Sequence, residues 1–368
     1  FAAENLHLVA IGVALIALLV WGYRRKVTPE AITTRWSYYA VNSVVLLLTI
    51  VACIAGIRGG LSRMARPTAI PYSLKFAKTS QKANIVLSNP FCILRTAGNT
   101  QVTAPKYFEA EELSQIYTPY HYPQSVKEQL PLNVVIMVTE SISAENSAYL
   151  CPDIYENEEQ KGYIPFLDSL MQNGYTFKRM YANGKRSIQA LPSVWASIPS
   201  YKNPFVLMPQ AMAKTQALPA ILGDKGYRTM FFCGSDHGSM GFGAFARTTG
   251  MEHLYSRQDY EKVHGKDDFD GYWGIWDEKF IGYMGEELQK CTEPFFATIF
   301  TLTSHHPFVI PEEYEGKLPE GLTPNHKCVA YVDQAVQKFF ARYENEEWFK
   351  NTIFVFVADH VSSEQFSD

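Results

Sequence analysis

The stretch "IFVFVADH", residues 353–360, decides how the rest of the chain is read. Ile353 to Ala358 are rich in β-branched and aromatic types, the composition of a buried strand, and polarity then switches at once to Asp359 and His360. Upstream, "NVVIMVT" (133–139), "RTMFFCG" (228–234) and "FFATIFTLT" (295–303) repeat the apolar run, and "TIFVFVA" (352–358) completes the set. Helix-like segments separate them: "IPFLDSLMQNG", closed by Gly174, then "QALPAILGDKG", then "VAYVDQAVQKFFARYE". Near-continuous apolar strands alternating with helices specify an α/β fold, a mostly parallel sheet with helices on both faces. Chemistry in open α/β sheets collects beyond the carboxyl ends of the strands. Those ends read Glu140, Gly234-Ser235-Asp236, Ser304-His305-His306 and Asp359-His360.

The amino-terminal part is different in kind. Residues 6–23 and 36–57 contain no Asp, Glu, Lys or Arg. Each is long enough to cross a hydrocarbon core of about 30 Å at about 1.5 Å per helical residue. Trp21, Tyr23, Trp36, Tyr38 and Tyr39 cluster at the ends, where amphipathic rings favour the membrane interface. Two transmembrane helices are expected within residues 1–58. A signal peptide is the wrong reading for the first, because "RRK" follows its apolar run instead of preceding it. Basic residues flank both sides of the second helix, so charge does not orient it. Residues 59–130, punctuated by Gly, Pro and Tyr, read as a juxtamembrane connector with some helix around 75–85, and residues 131–368 as the catalytic domain. The chain opens on Phe1 and closes on "SSEQFSD", with no helix stop or turn signal, so it is expected to be a segment of a longer protein, its catalytic domain incomplete at the carboxyl end.

A formal net charge of −4 leaves no basic footprint for nucleic acid. The six cysteines are widely spaced with no CxxC, so neither a zinc knuckle nor a disulfide framework is implied, although one or two bridges remain open for an exported domain.

Glu140, Asp359 and His360 make an O/O/N donor set suited to Mn²⁺, Zn²⁺ or Mg²⁺. Each alone has an ordinary role: Glu140 or Asp359 as a helix cap, His360 as a satisfied core histidine. A fourth element adds weight. "NGKRSIQALPSVWASIPS" (183–200) puts Ser187 after a Gly-Lys-Arg turn, at the expected start of a helix. A helix N-terminus with Lys185 and Arg186 beside it favours an anion, whereas the simpler role for Ser187 is a cap.

These residues carry a resemblance. "NVVIMVTES", "NGKRSIQALP", "TLTSHHPF" and "VFVADH" resemble, in order and approximate spacing, the lipoteichoic acid synthase and phosphoglycerol transferase family, within the alkaline phosphatase and sulfatase superfamily. The resemblance implies that Glu140, Asp359 and His360, with Ser187, bind one catalytic divalent cation, Mn²⁺ ahead of Zn²⁺ and Mg²⁺. It implies Ser187 as the nucleophile, a Thr in the best-known members. It implies that His305 contacts the transferred group or protonates the leaving alkoxide, with His306 as its neighbour. Lys185, Arg186, His306 and Trp273 are the implied substrate-binding residues, Trp273 and Asp277 lying in the block "DGYWGIWDEKF" (270–280). The implied partners are the membrane, a phospholipid donor and a glycan or polyol-phosphate acceptor, with the domain outside the cytoplasmic membrane of a multi-pass protein. Members have about five transmembrane helices, of which the two here would be the last.

The implied reaction moves phosphoglycerol through a phosphoserine. Phosphoethanolamine transfer to lipid A or another glycan is the alternative, with a phosphoesterase or sulfuric ester hydrolase behind it and a non-catalytic sensor last. A sulfatase needs a C/S-x-P-x-R block, which neither "RSIQALP" nor "LPSVW" supplies. Two departures stand out: Cys233 occupies the place of an expected His, and the family's pocket Trp and Arg near "SMGFGAF" have no counterpart that aligns.

Overall fold

The structure is a computed structural model that describes residues 6–24, 36–58, 70–75, 77, 80–97, 107–118, 121–122, 124, 130–156, 162–200, 203–292, 294–362 and 364. It divides into two compact units, Phe1–Thr68 and Ala69–Asp368.

The first unit holds two helices, Leu6–Arg24 and Trp36–Arg58. Within the second, Trp36–Ile57 is long and apolar enough to cross a membrane, and none of it is buried in protein. Its polar side chains bond back to their own helix, Asn42 Nδ2 to the Tyr38 carbonyl at 2.7 Å and Thr49 Oγ1 to the Val45 carbonyl at 2.8 Å. That pairing would lower the cost of placing an amide or hydroxyl in hydrocarbon. In the first helix the apolar run among the described residues is the shorter Val13–Gly22.

The second unit is built on five parallel strands: β1 (Asn133–Thr139), β2 (Arg228–Cys233), β3 (His253–Tyr255), β4 (Phe295–Phe300) and β5 (Thr352–Ala358), in the order β3-β2-β4-β1-β5. Alternation along each strand splits the apolar run between two cores. Val135, Met137, Met230, Phe232, Phe295, Ala297 and Ile299 face one side, where Asp277–Gln289, Asn325–Tyr343 and Pro165–Asn173 pack on them. Ile136, Val138, Phe231, Cys233, Phe296 and Phe300 face the other, against Leu191 and Trp195 of the helix Ala190–Ala196 and Phe242 and Phe245 of Phe242–Thr248. Met137, Phe232, Phe295 and Phe296 are fully buried, each contributing about 1.5–3 kcal/mol to folding. Trp195 meets its polar obligation there by donating its indole N–H to Thr298 Oγ1 at 3.1 Å. The expected parallel sheet with helices on both faces is what forms.

Two expectations need correcting, and one strand was not foreseen. The run 352–358 is an edge strand, not a fully buried one. Phe354 and Phe356 pack on the first core, but the second core is assembled on β1, β2 and β4 and leaves Ile353 and Val355 47% and 39% exposed. The run 295–303 stops being strand at Phe300: the Thr301 N–H still donates to the Val138 carbonyl at 3.0 Å, and Leu302 and Thr303 then turn their N–H groups to the carboxylate of Asp277. β3 carries too few residues to register as an apolar run.

Helix near 75–85 appears as a 3₁₀ stretch Ile70–Lys75 followed by Ser80–Val86. Leu74 and Ala83 are buried with Ala244, and Arg247 Nη1 donates to the Leu74 carbonyl at 2.8 Å. This part of the expected connector is therefore packed within the second unit.

Candidate active site

Parallel pairing puts every strand's carboxyl end at one edge. Val138 of β1 lies opposite Phe300 of β4 and Val357 of β5, so Glu140, the loop after Phe300, and Asp359-His360 emerge side by side. One ligand atom from each of Glu140, Asp359 and His360 lies within 4.8 Å of the others. His360 Nε2 is 3.2 Å from Glu140 Oε1 and 3.3 Å from Asp359 Oδ2. Ser187 Oγ stands 3.2 Å from the same nitrogen.

Each side chain is held from behind. Ser141, at a left-handed φ of 56°, donates its N–H to Asp359 Oδ1 at 2.9 Å and its hydroxyl to Glu140 Oε1 at 2.9 Å. The His360 N–H donates to Asp359 Oδ1 at 2.7 Å. Thr301 Oγ1 accepts from the Glu140 N–H at 2.9 Å, and Ser304 Oγ donates to the Glu140 carbonyl at 2.6 Å. His360 Nδ1 faces the Val361 carbonyl at 2.7 Å. A carbonyl only accepts, so Nδ1 carries a ring proton, and Nε2 is the nitrogen that faces the carboxylates.

Two carboxylate oxygens are left over. Glu140 Oε2 and Asp359 Oδ2 are buried with no hydrogen-bond partner. Buried polar atoms of this kind are costly unless something positive meets them. The electrostatics carry the same signature. Burial pushes the Glu140 carboxyl up, but the hydrogen bond to His360 and its charge outweigh burial and hold it below the usual range. Burial beside the Glu140 charge pushes Asp359 well above the usual range. Burial works against charging His360, yet the hydrogen bond to Glu140 and the charge of Asp359 raise it to about 9. Two carboxylates and an imidazole around one point thus retain a proton that a divalent cation would displace, and the two orphaned oxygens, Nε2 and Ser187 Oγ suit such a cation.

Ser187 stands at the start of a helical segment, as expected, but the first turn is not α-helical. It opens a 3₁₀ turn, Ser187–Gln189, and the α-helix Ala190–Ala196 begins three residues later. Its hydroxyl is buried against His360 rather than capping a helix, and Lys185 and Arg186 beside it are exposed. The turn is tightened by the Lys185 N–H donating to Gln189 Oε1 at 3.0 Å.

Trp273, His305 and His306 form one cluster. Trp273 Nε1 donates to the His306 carbonyl at 2.7 Å, and its ring centroid lies 4.3 Å from that of His305. His305 Nδ1 faces the same carbonyl at 2.9 Å, so Nε2 is the free face of the ring. The charge of His305 is among those that lower Glu140. His306 contributes its carbonyl to this cluster, and its own ring meets Phe308. Trp273 is fixed by Asp270 Oδ1, which accepts from the N–H groups of Tyr272, Trp273 and Gly274 at 2.7, 2.8 and 3.0 Å. Gly274 has no room for a Cβ against the Gly234 carbonyl.

Asp277 belongs to the scaffold. It is buried and accepts from the N–H groups of Leu302 and Thr303 at 2.9 and 2.7 Å, fixing the segment that leads to His305. Asp236 leaves the set formed by the other strand ends, because Arg257 holds it at 2.7 Å. All six cysteines are free, and Cys233 meets Ser235 Oγ at 3.2 Å.

The family model described as Sulfatase matches residues 132–365, from the start of β1 to beyond His360, with Glu140, Ser187, Asp359 and His360 inside the match. The chain belongs to the sulfatase family. This sulfatase-family chain is 23% identical over 370 residues to a lipoteichoic acid synthase-like protein of Bacillus subtilis, YvgJ, covering 96% of the chain and 56% of that relative. It is 24% identical over 282 residues to phosphoglycerol transferase I of Xanthomonas campestris, covering 70% of the chain and 39% of that relative. The chain thus spans about half, or less, of the length of these relatives. Its structure aligns with the crystal structure of the lipoteichoic acid synthase LtaP from Listeria monocytogenes at a TM-score of 0.55 and 21% identity, over 63% of this chain and 57% of that one. The fold is the alkaline-phosphatase-like α/β fold.

Proposed function

We propose that this chain carries the catalytic part of a membrane-bound, cation-dependent transferase. It moves a phosphoglycerol head group from a phospholipid to a glycan or polyol-phosphate acceptor outside the cytoplasmic membrane, by way of a phosphoserine on Ser187. The observation that carries this reading is the convergence of Ser187 Oγ on His360 Nε2 at 3.2 Å, beside two buried carboxylate oxygens that accept no hydrogen bond, of which Asp359 Oδ2 meets only the same nitrogen at 3.3 Å. The relatives named lipoteichoic acid synthase-like and phosphoglycerol transferase I support the donor class, and Trp36–Ile57 supports a membrane location.

Glu140, Asp359, His360 and Ser187 would hold the cation. When bound, it supplies positive charge that favours an ionised serine and offsets charge gathering on the phosphoryl oxygens, a role Mn²⁺, Zn²⁺ or Mg²⁺ can fill. Ser187 Oγ attacks the phosphorus of the head-group ester, and the bond from phosphorus to the diacylglycerol oxygen breaks. His305, as the imidazolium, gives its Nε2 proton to the departing alkoxide. Lys185 and Arg186 attract the phosphate, while Trp273 and the His306 segment hold the head group beside His305. An acceptor hydroxyl then attacks the phosphoserine, His305 takes its proton, and Ser187 is restored.

The test uses membranes carrying the complete protein, incubated with head-group-labelled phosphatidylglycerol or phosphatidylethanolamine. Label passing from phosphatidylglycerol to acceptor, and lost with Ser187→Ala, is the expected result. Label from phosphatidylethanolamine alone would replace the head-group assignment. Label from neither lipid contradicts the transferase reading.

A further inference from the structure

Between the helix Pro165–Asn173 and Ser187 the chain runs through "YTFKRMYANGKR", residues 175–186. Large apolar side chains in a packed domain ordinarily turn inward. Here Tyr175 is 90% exposed, Phe177 69%, Met180 68% and Tyr181 85%. The rings of Tyr175 and Phe177 meet edge-on at 5.3 Å. Lys178, Arg179, Lys185 and Arg186 are interleaved with them and are exposed as well.

The charge around this loop is one-sided. The chain has a formal net charge of −4, yet from Ser169 to Gly223 it contains no Asp or Glu and six Lys or Arg. Contiguous exposed apolar groups mark interaction surfaces. Aromatic rings interleaved with cations match the head-group layer of a bilayer, where rings sit at the apolar boundary and cations meet lipid phosphates. A polyanionic glycan would use the cations but gain little from Phe177 and Met180, which offer it neither charge nor a conventional hydrogen-bond donor. An apolar protein surface would use the rings and leave four cations unanswered.

We infer that residues 175–186 are a membrane-docking loop whose aromatic tip seats among the head groups of an anionic phospholipid surface. The loop runs directly into Ser187, so docking brings that hydroxyl to the level at which lipid phosphates lie. The link to Ser187 rests on the lipid-donor reading; the surface itself does not.

The experiment uses the full chain reconstituted in vesicles of phosphatidylglycerol and phosphatidylcholine, with photoreactive p-benzoylphenylalanine in place of Phe177 or Tyr181. After irradiation, peptides are read by mass spectrometry. Phospholipid adducts are expected at both positions, more than at position 263, where Val263 is also 63% exposed. Raising the salt from about 0.1 M to about 1 M, or leaving out phosphatidylglycerol, is expected to lower their yield, because exposed charges are screened. The inference is overturned by the absence of lipid adducts at 177 and 181, or by adducts formed only with an added polyanionic glycan. A second readout concerns rate. Phe177→Ser combined with Tyr181→Ser is expected to slow transfer from vesicle-embedded phosphatidylglycerol far more than from a short-chain, water-soluble one, and equal losses contradict docking. If the parent chain turns over neither donor, the transferase reading fails while the crosslinks still decide the docking.

Discussion

The hydroxyl of Ser187 and the imidazole of His360 meet across 173 positions of sequence, and what makes the meeting chemically useful is the pair of carboxylates beneath them. Substituting Ser187→Ala removes the proposed nucleophile, so transfer is expected to fall by at least about 10³-fold, as with other nucleophile deletions. The protein should remain folded, as judged by its circular dichroism. The proposed cation would compete with protons at this site. His360 is raised to about 9 and Asp359 is raised as well, so at neutral pH the cation-free site holds a proton. Raising the pH removes that competitor and strengthens binding. Mn²⁺ affinity is therefore expected to rise by about tenfold per pH unit between about pH 6 and 8 if one proton is displaced. Calorimetric titration in buffers of different ionisation enthalpy would register the released proton, and a flat pH profile would contradict the donor set. Ser141→Ala removes the hydroxyl that orients Glu140 and is expected to weaken cation binding by about 10–100-fold.

Glu140, Asp359 and His360 were legible in the sequence because each follows directly on an apolar strand, so the fold that the strands specify also states where they emerge. Ser141, Thr301 and Ser304 were not. Serine and threonine are common at strand ends, and only the pairing of β1 with β4 and β5 shows which ones reach a ligand.

Among the elements, the turn after β4 is the one on which His305 depends. Asp277, at the start of the helix Asp277–Gln289, accepts from the N–H groups of Leu302 and Thr303 and so bends the chain out of the strand. Burial pushes the Asp277 carboxyl up to about 7, so these bonds are charge-assisted, at about 1.5–3 kcal/mol each, only once the pH is above that value. Asp277→Ala leaves two buried donors unpaired and is expected to lower unfolding stability by about 2–4 kcal/mol in a denaturant titration. A change under about 0.5 kcal/mol would mean the turn holds without it. The same element shows why sequence ran past the strand end. "FFATIFTLT" is uniformly apolar or β-branched, and nothing local separates a residue that pairs with β1 from one that bends toward a carboxylate. β5 offers the parallel lesson. Its alternating Ile, Phe and Val fill either face equally well, so composition names a strand without saying whether one side lies open.

At the scale of the whole molecule, an apolar helix of membrane-spanning length and a sulfatase-family domain occur in one chain. Anchoring turns a search through solution into one within a surface, raising the effective concentration of a lipid donor. Transfer is therefore expected to follow the mole fraction of phosphatidylglycerol in the vesicle and to drop on dilution with neutral lipid at constant bulk concentration. A rate that tracks bulk concentration alone would contradict a membrane-bound donor. The parallel α/β core was legible from four apolar runs and their spacing. The aromatic and basic loop before Ser187 was not, since a Tyr or Phe in sequence reads as core until its exposure is known.

The most direct measurement is the mass of the peptide containing Ser187. The complete protein in membranes is mixed with divalent cation and phosphatidylglycerol, and the reaction is quenched with acid within its first turnovers. The expected result is a phosphoglycerol adduct on Ser187, absent when Glu140, Asp359 or His360 is replaced by Ala. An unmodified Ser187 peptide, under conditions in which acceptor is being labelled, would show that the head group travels by another route.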